Sequence, residues 1–295
     1  MRKEKSEIMK YSLYPGCAGE ATTKEAWLAT RRILDFLGLD VTENNAYSCC
    51  GAGIVEEEDP EFEYTLNARN FALAEAEGRD IVVICNTCLL TMLNTKKTLA
   101  ENQTLYRQVN ADLAEIGLEY KGEVGIKHFL WLLRDDIGLD RLKELIKVPI
   151  RNVKIAPFYG CHIVRPSEVI ADDKEPDFLS RLIEACGAEE ADYDYKYSCC
   201  GFHILLSDQA TSLKMTEKCL SHAEKAGADM LVTPCTLCHI SLDGYQKPAN
   251  VKHRKEIPVL HLAQMLGLAF GIEPKELGVD QNMVGVDKYL SLLGV

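Results

Sequence analysis

The feature that most constrains this chain is an internal repeat written in cysteine. Cys49-Cys50 and Cys199-Cys200 sit in the same pentapeptide, YSCCG, while Cys85/Cys88 and Cys235/Cys238 form two CxxC motifs. Both pairs and both motifs are displaced by 150 positions (199 − 49 and 235 − 85). A further cysteine precedes each pair, Cys17 in YPGC and Cys161 in FYGC. The halves therefore read C-x31-CC-x34-CxxC and C-x37-CC-x34-CxxC, which takes in ten of the twelve cysteines. A repeat on this scale is expected to fold as one unit made twice.

The likeness extends past the cysteines. AEGRDIVVIC precedes one CxxC and EKAGADMLVTPC the other; KHFLWLLRDDIG follows one and LHLAQMLGLAFG the other. His128 and His261 each stand ten residues before a glycine, Gly138 or Gly271. Their offset is 133, so the first half carries 17 extra residues (150 − 133), roughly TLAENQTLYRQVNADLA. We divide the chain near Pro149 into two domains, 1–149 and 150–295. Each half reads as a strand (Tyr11–Tyr14; Val153–Ala156) running into the lead cysteine. A helix follows, with apolar residues at 3.6-residue spacing: Trp27, Ile33, Leu34 and Leu37 in one half, Leu179, Leu182, Ile183 and Cys186 in the other. After the double cysteine come a second helix (60–77; 208–226) and a strand (Ile81–Ile84; Met230–Thr233). The CxxC then opens a third helix. The expected fold class is α/β: two duplicated strand-helix-strand-helix domains, each on a largely parallel sheet, related by pseudo-twofold symmetry. The cysteines then gather where strands end and helices begin, where open α/β sheets hold ligands.

Bulk properties exclude some partners. The net charge is −12, the wrong balance for a phosphate backbone, so no nucleic acid is expected. The basic opening MRKEKSEIMKY leads into no apolar core of a signal peptide. The longest apolar stretch, around 260–272, carries His261 and Gln264 and is too short to cross a bilayer, so no direct membrane span is expected. The cytoplasm follows as the expected compartment. There thiols stay reduced, and a high cysteine count points to metal, cluster or redox chemistry.

Five thiols per half exceed the four of a tetrahedral zinc site or an ordinary cubane. Adjacent cysteines are poor chelators of one small ion, because the peptide between them is stiff; they suit different atoms of a larger centre. This arithmetic favours a polynuclear iron–sulfur cluster on Cys17, Cys49, Cys50, Cys85 and Cys88, and another on Cys161, Cys199, Cys200, Cys235 and Cys238. Two rivals stand beside it: CNTC and CTLC as redox dithiols, whose place at helix starts would lower a thiol pKa, and a duplicated zinc-binding adaptor. Neither uses all ten cysteines.

The arrangement resembles that of the CCG domain, and two in tandem resemble the family of the heterodisulfide reductase B subunit. The stretch FYGCHIVRPSEV…YSCCGFH…MLVTPCTLCHISLDGYQ carries the likeness most strongly. The resemblance implies two non-cubane 4Fe-4S clusters and reduction of the mixed disulfide of coenzyme M and coenzyme B in methanogenesis. It also implies two partners within the complex, a ferredoxin-like iron–sulfur C subunit and a flavin-containing A subunit, with a hydrogenase or formate dehydrogenase beyond them. Related CCG subunits serve lactate, glycolate and succinate or fumarate systems, so the domain alone leaves the substrate open. A disulfide suits a duplicated site on chemical grounds: cleavage takes two electrons, and each of two clusters can pass one.

The halves differ in their histidines. His162 follows Cys161 and His239 follows Cys238, where the first half has Ala18 and Leu89. His203 stands two residues after Gly201, where the first half has Gly53. His162 is the candidate proton donor, its plainer alternative being a hydrogen bond to sulfur that tunes potential. Arg165 is the candidate anchor for an anionic group of the substrate, or else a surface ion pair. Cys186 and Cys219 lie outside the repeat and read as small buried residues. His128 and His261 read as duplicated core or capping residues.

Overall fold

In the computed structural model, which describes residues 10–170, 174–249, 256–287 and 290, eight short strands form two four-stranded sheets. The basic opening segment lies outside the described residues. The first sheet holds β1 (Lys10–Tyr14), β2 (Asp40–Glu43), β3 (Asp80–Val83) and β4 (Ile126–His128). The second holds β5 (Lys154–Pro157), β6 (Glu189–Glu190), β7 (Met230–Thr233) and β8 (Val259–His261). The strand orders are β2-β1-β3-β4 and β6-β5-β7-β8, the same arrangement twice, and every pairing is parallel. The expected α/β duplication is therefore present.

Parallel sheets bury both faces, and these sequences supply the apolar residues for it. In β3, Val82 points to one core and Ile81 and Val83 to the other; in β7, Val232 and Leu231 divide the same way. Each core runs under both sheets and draws on both halves. On one face, the helix Lys24–Phe36 of the first half packs on Leu262–Ala269 of the second, with Phe36 and Phe270 stacked at 5.1 Å. On the other face lie Pro60–Glu77, Asn86–Glu101 and Gln209–Lys225, together with the buried Cys50, Cys85, Cys88, Cys200, Cys235 and Cys238.

The long helices have local causes. Asp59 caps Pro60–Glu77, accepting from Phe62 N–H at 3.0 Å, with proline at the first turn. Asp208 caps Gln209–Lys225, accepting from Thr211 N–H at 3.0 Å. The extra residues of the first half extend the CxxC helix to Glu101 and add a helix at Gln103–Ala114. In the second half the corresponding helix is one turn, Thr236–His239, passing into a π-helical turn at Ile240–Gly244. His128 and His261 are fully buried caps: Nδ1 of each accepts from the backbone N–H of Leu130 (3.1 Å) or Ala263 (3.3 Å).

Candidate metal centres

In each sheet the chain turns away in opposite directions from β1 and β3, or from β5 and β7, opening a crevice at their carboxyl ends. Tyr14 pairs with Val83 and Pro157 with Val232, so the segments leaving these strands start side by side. Those segments carry Cys17 and the first CxxC, or Cys161 and the second. The double cysteine reaches the same crevice on a loop held from behind. Asn67 Nδ2 donates to the Cys50 carbonyl at 2.8 Å, and Thr216 Oγ1 donates to the Cys200 carbonyl at 3.0 Å. These two residues are 149 apart, so the helices behind the loops are shifted by one residue against the cysteines. In that register Cys219 takes the place of Asn70, with its thiol 3.5 Å from the Cys199 carbonyl. Cys186 is fully buried in the opposite core, away from the other thiols.

The ten repeat cysteines fall into two sets. In the first, Cys49 Sγ lies 3.6 Å from Cys17 Sγ, and Cys50 Sγ lies 3.6 Å from Cys88 Sγ. In the second, Cys161 and Cys199 are close enough to shift each other's acidity, as is Cys238 with Cys200 and Cys235. The sets meet at the centre of the molecule, where Cys85 Sγ and Cys235 Sγ are 3.7 Å apart. Equivalent residues touching one another mark the pseudo-twofold axis. The sulfurs contact in pairs; among the described residues no three His, Cys, Asp or Glu side chains converge on one ion-sized point.

Fit to a metal cluster rests on three other observations. First, contacts between thiols favour the thiolate, the metal-binding form, at Cys49, Cys85, Cys199 and Cys200, while neighbouring thiols and burial push Cys17, Cys50, Cys88, Cys161, Cys235 and Cys238 up. The Cys17 and Cys50 thiols hold Cys49 well below the ordinary thiol range, and the Cys161 thiol, helped by the Gly201 N–H, holds Cys199 down at about 6. Second, backbone N–H groups of Gly51 and Gly201 point at Cys49 and Cys199 Sγ, each at 3.4 Å. Third, the approach to the CxxC sulfurs is kept free of side chain. A Cβ on Gly16 would stand 3.2 Å from Cys88 Sγ, and one on Gly160 would stand 2.9 Å from Cys238 Sγ. Both glycines have positive φ, +66° and +77°, which other residues adopt at a cost. Five thiols, a stiff adjacent pair and a cleared approach fit a centre with several metal atoms better than one ion.

The histidines and Arg165 take unequal places. His162 Nδ1 and His203 Nε2 both meet the hydroxyl of Thr87, at 3.1 and 3.0 Å, and their rings lie 4.9 Å apart. Thr87 belongs to the CxxC of the first half, so the contact crosses the pseudo-axis. Burial, then the His203 ring, pushes the His162 pKa down, which favours the neutral ring. His239 points away into a buried network: Nε2 is 3.0 Å from the Val259 carbonyl and Nδ1 is 3.2 Å from Glu25 of the first half. The exposed Arg165 donates to the Tyr197 carbonyl, at the start of the second YSCCG. Two residues that sequence reasoning passed over, Asn86 and Thr87, tie the first CxxC to the second half. Asn86 Nδ2 donates to the Tyr159 carbonyl at 2.6 Å.

Known proteins resemble this chain over nearly its whole length. The family described as the cysteine-rich domain CCG matches residues 11–93 and 155–243. The chain is 34% identical to the 8-methylmenaquinol:fumarate reductase membrane anchor subunit of Wolinella succinogenes, over 95% of this chain and 98% of that one. It is 35% identical to the B subunit of the ferredoxin/F(420)H(2)-dependent CoB-CoM heterodisulfide reductase of Methanosarcina acetivorans, over 96% of this chain and 97% of that one. It is also 35% identical to a protein of Archaeoglobus profundus named for its likeness to the heterodisulfide reductase B subunit, over 92% and 93%. A crystal structure of a hypothetical protein from Helicobacter pylori shares the fold, with TM-score 0.76 at 18% identity; it covers 96% of this chain, which spans 53% of that one. With its ten cysteines in the doubled pattern and relatives matched from end to end, the chain belongs to the tandem cysteine-rich CCG-domain family that includes the B subunit of heterodisulfide reductase.

Proposed function

We propose that the chain is the disulfide-reducing subunit of a CoB-CoM heterodisulfide reductase. Cys17, Cys49, Cys50, Cys85 and Cys88 would hold one non-cubane 4Fe-4S cluster, and Cys161, Cys199, Cys200, Cys235 and Cys238 a second. The observation that carries the reading is the 3.7 Å approach of Cys85 and Cys235, which brings two five-thiol sets together across one pseudo-axis. A substrate with two sulfur atoms fits a site built twice. When bound, the clusters would supply one electron each to the cleavage of the disulfide.

The chain's own residues would do the rest. The N–H groups of Gly51 and Gly201 offset negative charge on the Cys49 and Cys199 sulfurs. His162, fixed through Nδ1 by Thr87, would present Nε2 to a product thiolate, hydrogen-bonding it and, once protonated from solvent beside that negative charge, passing the proton on. Arg165, by holding the Tyr197 carbonyl, steadies the loop that carries Cys199 and Cys200. Electrons would come from a ferredoxin-like iron–sulfur C subunit, supplied in turn by a flavin-containing A subunit and a hydrogenase or formate dehydrogenase. Clusters on free thiols favour a reducing compartment, so the proposed assembly is cytoplasmic.

The Wolinella relative, named as part of a menaquinol:fumarate reductase, and a 24% identical relative named lactate utilization protein A support a second reading: an electron-transfer subunit in a fumarate- or lactate-type system. Among the described residues no helix is long and apolar enough to cross a membrane. Anaerobic purification followed by turnover assays separates the readings. Brown protein that reduces the heterodisulfide to two thiols supports the first. Brown protein inert to it but coupled to fumarate or lactate supports the second. Colourless protein with zinc or free thiols contradicts both.

A further inference from the structure

The two centres are alike in ligands and unlike in access. At the first, Cys17 and Cys49 are exposed; at the second, their counterparts Cys161 and Cys199 are half-buried. Three residue pairs differ between the two centres. Beside the second centre stand His162 and His203, both bound to Thr87 across the pseudo-axis. The corresponding places beside the first centre hold Ala18, Gly53 and Leu237: a methyl group, no side chain, and a side chain that forms no hydrogen bond. A hydroxyl can donate to one ring nitrogen while accepting from the N–H of another, so a single threonine can hold both rings.

The space beside the lead cysteines differs in the same sense. Next to the turn that carries Cys17, though lined by no cysteine, is a cavity of about 320 Å³ bounded by Pro15, Gly19, Glu20, Lys24, Trp27, Glu43 and Asn44. At the same place in the second half, counted from Cys161, Tyr159 and Ile163 take the positions of Pro15 and Gly19. There Leu130 and Trp131 of the first half fill the space, leaving about 30 Å³.

We propose that Thr87 makes the two centres unequal, holding His162 next to Cys161 in the chain and His203 near Cys199, so that the first centre receives the bulkier arm of an organic thiol or disulfide and the second only a short one. This rests on the reading of the two five-thiol sets as centres that meet a disulfide. Thr87 is a positioning residue: it acts through the rings it holds.

The test is pulse alkylation of the full-length, anaerobically purified protein during iron chelation by bathophenanthroline disulfonate, with modified cysteines mapped by mass spectrometry. Two probes are used, iodoacetamide and a polyethylene glycol maleimide. Cys17 and Cys49 should label faster than Cys161 and Cys199, and the ratio should widen to on the order of tenfold with the bulky probe. Thr87→Val should bring that ratio near one, Thr87→Ser should preserve it, and His203→Ala should lower it in a variant that leaves the CxxC segment intact. Equal labelling of the two sets by the bulky probe in the wild type would overturn the proposal. So would a ratio that neither Thr87→Val nor His203→Ala moves. Iron and sulfide measured before chelation judge the cluster reading separately, since the labelling ratio is read with or without metal.

Discussion

Cys85 Sγ lies 3.7 Å from Cys235 Sγ, although the two residues are 150 positions apart and sit at the same point of two repeats. Each opens a helix at the carboxyl end of one of the two central strands of its sheet, β3 or β7. Their contact brings two copies of a thiol-rich unit together.

Removing one cysteine of a set should empty that set alone. Cys200→Ser should lower iron and labile sulfide to about half, leaving the first centre's spectrum in place. Cys186→Ala should leave iron unchanged and cost about 1–2 kcal/mol of stability, because it only trims a buried side chain. Metal analysis and denaturant unfolding check the pair. Iron loss in the Cys186 variant would mean that this thiol is a ligand.

Gly160→Ala should cost the second centre more than it costs the fold. Its methyl would stand 2.9 Å from Cys238 Sγ, and its φ of +77° is poor for alanine, about 1–2 kcal/mol. Expected is protein with native far-UV dichroism and about half the iron. Full occupancy in a folded Gly160→Ala variant would show that the cleared approach is not needed.

The double-cysteine loops should depend on the side chains behind them. Thr216→Val keeps the shape of the side chain but leaves the Cys200 carbonyl without its 3.0 Å donor. Asn67→Ala does the same to the Cys50 carbonyl. Each should cost about 1–3 kcal/mol, read as a lower urea midpoint.

Stability should fall with acid through the two buried caps. Burial pushes His128 down to about 4 and His261 down to about 3. Unfolded histidine takes up its proton near pH 6.5, so between that pH and the folded values the unfolded chain binds more protons. The contribution is fully present above pH 6.5. It is lost as pH falls, by about 1.4 kcal/mol per pH unit and per histidine, until the folded value is reached. Unfolding free energies at pH 7.5 and 5.5 should diverge less in His128→Gln than in the wild type. Identical slopes would mean that His128 takes up its proton in the folded chain.

Much of this was legible because the duplication constrains itself. A strand that recurs at Met230–Thr233 and a helix at Pro60–Glu77 stand where periodicity and caps put them. The strands β2, β4, β6 and β8 were missed. They are two to four residues long, too short for a period-2 pattern, and take their place from pairing with β1, β3, β5 and β7. The one-residue shift that puts Cys219 in the place of Asn70 is invisible when the cysteines alone set the register. Thr87 carried no signal: its partners are 75 and 116 residues away, and within its motif it is only a spacer. The uneven histidines did signal that the halves differ, but not that both rings meet one hydroxyl.

The most direct test of the central claim is rapid-freeze EPR of the reduced, anaerobically purified complex mixed with heterodisulfide. Two cluster signals that both change within one turnover are the predicted result. A change in one signal while the other stays fixed would contradict a substrate held between two centres.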